Sequence, residues 1–412
     1  MYNLAVRILL LNLYYPPDTS ATAKMAETVV NVLAKDNVLT ILCGRPSYDP
    51  TERRGWRLYH SEGSGAVRIV RVGSTDFPRV QMKRRVLNYL TYTMLAIPRA
   101  LFTPADVVLA MTDPPFAGII GAFVAWLKRK PYFYNIRDMY PDMAVGGAIV
   151  APGLLARVWE KLHRWALRRA SRVIVLGEDM RNRIMAKGVP EERIEIIRDG
   201  VEIAEDEDSS PAPDEEVIHK IRGDFNFVLL HAGNLGFYGA WGTLIEAAKL
   251  LVGDGIGFVF VGEGALRGEL EHMAENVPNV RFLPFFPGSK IESVLASPDA
   301  HLITVKRGLE GVVVPSKLYG ILAAGKPLVS VAPPETDAVT LGERYGFGVG
   351  ADPDRPAEVA KAIRAIAADG KRLADLGAAA KRAAPSFERS KELRKFSELL
   401  NSMGKSRTPA GE

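Results

Sequence analysis

From Gly308 to Pro327 the chain reads GLEGVVVPSKLYGILAAGKP. Pro315 stops whatever precedes it, and Ser316 suits the N-cap of a helix running to about Ala324. A helix start presents unbonded N–H groups and a partial positive charge, which suits a phosphate or diphosphate. Lys317 in that first turn opposes the helix dipole unless an anion offsets it. Ser316 and Lys317 therefore read either as a phosphate grip or as a plain cap beside a solvated lysine. Glu310, between Gly308 and Gly311, reads either as an acceptor of hydrogen bonds from sugar hydroxyls or as an ordinary loop charge.

Other turns after apolar runs share this character. HAGNLG, residues 231–236, holds Gly233, Asn234, Leu235 and Gly236, where glycines let backbone amides approach a ligand. A tight turn accounts for it equally well. Gly262, Glu263 and Gly264 form a third such turn. In the first half, NIRDMYPD (135–142) places Asp138 after an apolar run. An acid there could orient or deprotonate a hydroxyl, or simply bond nearby backbone.

These turns need strands beneath them. Apolar runs at Val6–Leu11, Val38–Cys43, Val67–Val72, Val107–Met111, Tyr132–Ile136, Val173–Leu176 and Ile194–Ile197 alternate with helical periods. One such period, KMAETVVNVLAK, puts Met25, Val29, Val32 and Leu33 on one face. Apolar strands separated by amphipathic helices mean parallel sheets covered on both sides. Residues 202–216, EIAEDEDSSPAPDEE, are acidic and aperiodic, as in a linker or exposed loop. The pattern restarts with strands at Phe227–His231, Gly257–Val261, Val280–Leu283, His301–Val305 and Pro327–Val331. Thr243 to Glu246 reads as a capping box.

The prediction is an α/β protein of two Rossmann-like α/β/α units facing a cleft, with loops at the strands' carboxyl ends. A first domain spans 1–202, an acidic linker or loop 203–222, and a second domain 223–384. A closing helix over 385–403 returns to the first domain, and residues 404–412 form a frayed tail.

With 412 residues, 47% apolar and 25% charged, fibrous, collagen-like and wholly disordered classes are excluded, and two or three domains of roughly 100–200 residues fit. The single Cys43 excludes a disulfide framework and a thiolate cluster and fits a reducing cytoplasm. The longest apolar run, Phe116–Leu127, falls short of the ~18 residues of a spanning helix. The start, LAVRILLLNLYYPP, carries Arg7 and no small-residue cleavage site, and reads as a buried strand rather than a signal peptide. His60, His163, His219, His231, His272 and His301 show no HExxH spacing, so no metal is expected. Acid pairs at 206–208 and 352–354 lie in the linker and beside a proline, not in a metal–diphosphate bridge. A GxSxG elbow and a Walker lysine are both absent.

Charge is uneven. Residues 1–200 hold 29 Lys+Arg against 18 Asp+Glu, a net of +11, and the remainder nets −6. A basic half suggests an anionic partner, either a phosphate-bearing substrate or acidic lipid, or else a solvated basic face. Scattered arginines without an RNP-like or zinc-finger pattern argue against nucleic acid. In QMKRRVLNYLTYTMLAIPRALF (81–102), Leu87, Leu90, Met94, Ile97 and Leu101 recur at helical spacing while Lys83, Arg84 and Arg85 crowd the amino end. The segment reads as a core helix or as an interfacial helix on acidic lipid.

The whole chain resembles glycosyltransferase family 4, retaining enzymes of GT-B fold, and in particular the branch that builds bacterial O-antigen, colanic-acid and capsular polysaccharides. The segments carrying the resemblance are ILLLNLYYPPDTSATA, RDMYPD, SRVIVLGEDMRNRI, IEIIRDGVE, HAGNLG, FVGEG and, most specific, EGVVVPSKLYGILAAGKPLV. It implies a nucleotide sugar in the second domain, at Gly233, Asn234, Leu235, Gly236, Gly262, Glu263, Gly264, Gly311, Pro315, Ser316 and Leu318. It implies an acceptor in the first, with Asp18, Thr19, Ser20 and Arg137 as candidate contacts. Glu310 matches the first glutamate of the family's glutamate pair. The second aligns near Gly320, its usual spacing falls on Leu318, and YGAWGT (238–243) replaces the basic pair after the GNLG-like turn. Lys317 then stands as the diphosphate cation, and Glu310, Lys317 and Asp138 form the implied catalytic set.

The implied reaction moves a hexosyl or N-acetylhexosaminyl group from a UDP-sugar to a polyprenyl-diphosphate-linked glycan, without cofactor or metal. It would take place at the anionic inner face of the cell membrane. A non-catalytic partner subunit of a membrane glycosyltransferase complex and a sugar-nucleotide epimerase are the competing readings. A Rossmann dehydrogenase is disfavoured, because no GxGxxG follows an early strand.

Overall fold

The computed structural model describes residues 5–46, 56–63, 65–77, 82–202 and 213–405. Most of the acidic segment, including the pair at 206–208, and the tail from 406 lie outside them. The first sheet comprises β1 (Arg7–Leu11), β2 (Val38–Cys43), β3 (Tyr59–Glu62), β4 (Val67–Val72), β5 (Val107–Ala110), β6 (Tyr132–Asn135), β7 (Arg172–Val175) and β8 (Ile194–Ile196). Its order is β3-β4-β2-β1-β5-β6-β7-β8, parallel throughout except for β3 against β4. The second sheet comprises β9 (Phe227–Ala232), β10 (Ile256–Val261), β11 (Val280–Leu283), β12 (Ala300–Thr304), β13 (Leu328–Val331) and β14 (Gly348–Ala351). It is wholly parallel, in the order β11-β10-β9-β12-β13-β14. Both have a switch point where the winding reverses, at β1 beside β5 and at β9 beside β12. A crevice opens there beyond the carboxyl ends.

The two faces of the first sheet explain its apolar runs. Ile8 and Leu10 point to one side, against Val29, Val30 and Leu33 of the helix Ala21–Leu33. Leu9 and Leu11 point to the other, against Tyr92, Ala96, Ile120 and Leu167 of the helices Met82–Phe102, Ala117–Lys128 and Leu154–Arg169. With both faces covered, every position from Ile8 to Leu11 is buried and apolar. Two edge strands escape the sequence pattern: β3 is polar (YHSE) and β14 glycine-rich (GVGA).

Three local expectations are corrected. The expected linker 203–222 contains the helix Glu215–Arg222, capped by Asp214, whose Val217 and Ile221 pack on Val228 and Val259. Thr243 caps nothing: it lies inside the helix Trp241–Lys249, and its hydroxyl donates to Pro353 O. In Met82–Phe102 the buried stripe is Tyr89, Tyr92, Ala96 and Ala100, while Leu87, Leu90 and Met94 face outward, Met94 with 73% exposure. The tyrosines win the inside because their hydroxyls find partners there; Tyr92 donates to Leu42 O at 2.8 Å.

The chain passes between the domains twice, side by side. Val201 N donates to Phe387 O (2.6 Å) and Arg389 N to Val201 O (2.9 Å). Beyond this crossing the last helix, Arg389–Lys405, buries Leu393, Phe396, Leu399 and Leu400 in the core of the first sheet.

Candidate active site

The loops after β9 and β10 are joined backbone to backbone. Gly233 N donates to Val261 O, Leu235 N to Glu263 O and Gly262 N to Leu283 O, each at 2.9 Å. A Cβ on Gly262 would lie 1.9 Å from Gly233 O, and one on Gly264 2.4 Å from Leu235 O. Gly262 and Gly233 also hold φ near +155° and +153°, so the glycines are a steric requirement of this crossing. Asn234 and Glu263 are exposed above it, Glu263 paired with Arg267, while Leu235 and Gly236 are buried beneath.

Lys317 opens the short helix Lys317–Ala323, with Ser316 at its N-cap position. Ser316 makes no side-chain cap, contrary to expectation, because its own backbone is already helical (φ −61°, ψ −21°) and its side chain is exposed. Lys317 Nζ reaches back over Gly233 to the ring of His231, 2.9 Å from Nε2. Among the described residues no carboxylate pairs with this amine. Burial pushes its pKa down to about 7. His231, fully buried edge-on against Trp241, is held neutral by burial and by the neighbouring lysine. Leu318 belongs to the core with Ile303 and Ile321, so its side chain is not on the cleft. Gly320 faces Leu295, 3.3 Å from where a Cβ would sit, and a glutamate there would point into the domain.

The loop after β12 is held by the opposite domain. Arg183 Nη1 donates to Glu310 O (2.9 Å), Met139 N to Val312 O (3.1 Å), and Lys306 Nζ to Gly146 O (2.7 Å). Asp138 and Val313 form an antiparallel bridge. Gly311, at φ +67°, passes so close to Asp179 O that a Cβ would stand 2.4 Å away. The two segments singled out from sequence, RDMYPD and GLEGVVVPSK, thus meet across the cleft. Glu310 Oε2 is buried there without a hydrogen-bond partner, a state that a ligand hydroxyl would relieve.

Asp138 has its carboxyl pushed up to about 6, mainly by burial and by the nearby Asp113 charge, with Arg137 and Arg85 opposing. Asp113 follows β5 as Asp138 follows β6, and the same positional reasoning identifies it: TDPP ends an apolar run. Arg85, Tyr89 and Tyr140 also belong to this group, and of these only Arg85 stood out in the sequence, as one of three cations at a helix start. The acceptor candidates distribute differently. Arg137 Nη2 binds both oxygens of Asp199 (2.6 and 2.7 Å). Ser20 Oγ caps the helix Ala21–Leu33 by accepting from Ala23 N at 3.1 Å. Asp18 is buried within electrostatic reach of Arg71, and Thr19 is exposed. Only Thr19 of the four keeps an exposed side chain.

A second inter-domain contact pairs two helix starts. Asp337 Oδ1 accepts from the N–H groups of Glu178 (2.8 Å) and Asp179 (3.2 Å), and Asp179 Oδ2 accepts from Asp337 N (3.2 Å). Burial pushes both carboxyls upward, and the Asp337 charge adds to this at Asp179. Arg198, 3.5 Å from Asp337 Oδ2, offsets part of it.

Among the described residues, Asp142, Glu160 and His163 are the group whose ligand atoms lie within 4.8 Å of one another. The Lys187 ammonium, 2.7 Å from both carboxylates, already supplies a cation there. Burial, with Lys187 adding, drives the His163 pKa down to about 3.

Two facing parallel-sheet domains with glycine-crossed loops on one side and carboxyls on the other define the GT-B class. Sequence profiles agree: "Glycosyl transferase 4-like domain" matches residues 24–200 and "Glycosyl transferases group 1" matches 214–383. The chain belongs to the group 1, or family 4, glycosyltransferases. It is 24% identical over 375 residues to WcaI of Escherichia coli K12, assigned as a colanic acid biosynthesis glycosyl transferase, covering 87% of this chain and 91% of that one. It is also 24% identical to WbjE of Pseudomonas aeruginosa, assigned as a glycosyltransferase, over 63% of this chain and 66% of WbjE. Among solved structures, Anabaena HepE with UDP-glucose superposes with a TM-score of 0.66 at 19% identity, over 96% of this chain and all of HepE. Sucrose-phosphate synthase of Thermosynechococcus elongatus gives 0.73 at 13% identity, over 97% of this chain and all of the synthase. No helix among the described residues is long and apolar enough to cross a membrane.

Proposed function

We propose that this chain moves a hexosyl or N-acetylhexosaminyl group from a UDP-sugar to a polyprenyl-diphosphate-linked glycan, with retention, in cell-surface polysaccharide synthesis. The observation that carries the donor side is the Lys317 amine, half-buried beside the crossed glycine loops with no carboxylate to pair it among the described residues. A diphosphate is the anion such a site lacks. HepE, described with UDP and UDP-glucose, and WcaI, assigned to colanic acid synthesis, support the choice of donor and pathway.

In this reading the acceptor oxygen bonds to the sugar C1 on the face from which the C1–O(phosphate) bond breaks. The acceptor's proton passes to the departing β-phosphate oxygen, and UDP leaves. Lys317 stabilises the charge that develops on the diphosphate, in place of a metal. Glu310 Oε2 accepts from a donor-sugar hydroxyl, and Asp138 orients the attacking hydroxyl.

The acceptor side rests on the outer surface of the first domain. Leu87, Leu90 and Met94 are exposed on the helix Met82–Phe102, and Leu154, Leu155 and Val158 on the helix Leu154–Arg169, both of which pack against the helix Ala117–Lys128. Arg84, Arg157, Lys161, Arg168 and Arg169 are exposed on the same helices. An apolar stripe among cations suits peripheral contact with the anionic inner face of a cell membrane.

The test is a thermal-shift series with UDP, GDP, ADP and NAD, without added metal. UDP at a hundred times its Kd stabilises the protein by about 2.7 kcal/mol, read as a rise of several degrees. No shift with any of them would end the transferase reading and favour the non-catalytic partner subunit.

A further inference from the structure

The inner face of the helix Met82–Phe102 ends, towards the cleft, in Arg85. Its guanidinium lies over the Tyr89 ring, 5.5 Å from the centroid, and its Nε donates to the Tyr89 hydroxyl. Tyr89 in turn packs edge-on against Phe116, which follows the Asp113 turn. Arg85 also lies within electrostatic reach of the Tyr14 and Tyr140 hydroxyls and of the Asp138 carboxyl. These groups come from the ends of β1, β5 and β6 and from one helix, and Asp138 touches the donor loop through Val313.

Arg85 forms no ion pair among the described residues, and its two terminal NH2 groups make no hydrogen bond there. An arginine half-buried among tyrosines, with its fork unused, is costly to desolvate. The same fork matches two phosphate oxygens, which a lysine would meet only as a point charge. On the other side of the same helix stand Leu87, Leu90 and Met94, the stripe assigned above to lipid. A lipid-borne phosphate at the amino end of this helix has its tail on one face and Arg85 at the edge of the other.

We propose that Arg85 binds the phosphate of the lipid-linked acceptor, so that the sugar beyond it presents its hydroxyl to Asp138 with Asp113 behind. This rests on the lipid-linked acceptor reading above and adds the residue that recognises the anion. Arg85 is a binding and positioning residue in this scheme. The aromatic rings of Tyr89 and Tyr140 form the walls beside it, and Tyr140 is itself fixed by stacking on Trp159 at 5.9 Å.

The test uses the full chain saturated with UDP, which occupies the Lys317 site. Farnesyl diphosphate and farnesol are titrated separately into wild type, R85Q, R85K and R84Q. Farnesyl diphosphate should bind wild type at least tenfold more tightly than farnesol. R85Q should weaken it tenfold or more, R85K by less than R85Q, and R84Q by less than threefold. UDP affinity should be unchanged in every variant, which separates failure of this subsite from failure of the donor site or of folding. If wild type does not bind UDP, the donor reading falls, and the farnesyl diphosphate comparison in buffer alone still decides on Arg85. Binding to phosphatidylglycerol vesicles separates a lipid headgroup from the acceptor phosphate as the anion read. R84Q should weaken it and R85Q should not. Equal farnesyl diphosphate affinity in wild type and R85Q, or parallel loss of vesicle binding in R84Q and R85Q, would overturn the assignment.

Discussion

In the second domain the loops after β9 and β10 meet main chain to main chain, with Gly262 crossing Gly233 where a Cβ on Gly262 would not fit. In the first domain the ends of β5 and β6 instead bring together Asp113, Asp138, Tyr140 and Arg85, joined through charge and ring packing. One wall of the cleft is therefore specified by what side chains must not be there, the other by which ones are. A backbone-built wall suits the part of a substrate that is the same in many relatives, and a side-chain wall can be changed residue by residue without disturbing the fold.

The largest effect should follow from violating the first wall. In Gly262→Val the new carbon must occupy the place of Gly233 O at a φ that valine avoids. UDP binding should vanish and stability fall by about 3 kcal/mol, read by titration and thermal melting. Glu263→Ala, which leaves the main chain intact, should cost far less. Equal losses would erase the contrast between the two walls.

Next in size is Lys317→Ala, which should lower turnover at saturating donor at least tenfold, about 1.4 kcal/mol of transition-state stabilisation. An unchanged rate would remove Lys317 from the mechanism. Its pKa also gives a sign. The free amine, pushed down to about 7, is charged below that pH and neutral above it, and a bound diphosphate favours the charged form. UDP binding should therefore take up a proton above pH 7. Affinity should weaken as pH rises, by up to about tenfold per unit, a slope that Lys317→Ala abolishes. Calorimetry in buffers of different ionisation heat measures that proton directly.

The smallest expected change sharpens the other wall. Asp138→Asn should reduce kcat/KM roughly fivefold, about 1 kcal/mol, the net worth of one ordinary hydrogen bond, and leave UDP affinity alone. Because the Asp138 carboxyl is pushed up to about 6, it ionises as pH rises through that value. The wild-type rate should climb over the same interval, and the asparagine variant should show a flat limb.

The glycine-crossed wall was legible because backbone crossings demand glycine, and Pro315 and Lys317 mark the helix start directly in the residue string. The side-chain wall was not, because Arg85, Asp113 and Tyr140 lie on separate segments and become neighbours only in the folded domain. Asp138 was found by its place after a strand, and Asp113 was missed although it stands in the same place one strand earlier. The helix Met82–Phe102 misled for a physical reason. Its leucines and methionine are the more apolar set, yet Tyr92, whose hydroxyl donates to Leu42 O of β2, and Tyr89, whose hydroxyl accepts from Arg85 Nε, take the interior. The helix Glu215–Arg222 was hidden by acidic, proline-bearing surroundings that outweigh its two buried residues.

The helix Arg389–Lys405 packs on the first sheet, although the chain reaches it only after building the entire second domain. On a ribosome, which releases segments in order, the N-terminal half thus emerges with one flank of its core uncovered. Val29, Val30 and Leu33 wait there for Leu393, Phe396 and Leu400, made about 360 residues later. Nascent chains of this architecture cannot finish their first domain before their second. During that interval the uncovered flank is a surface that a chaperone can read.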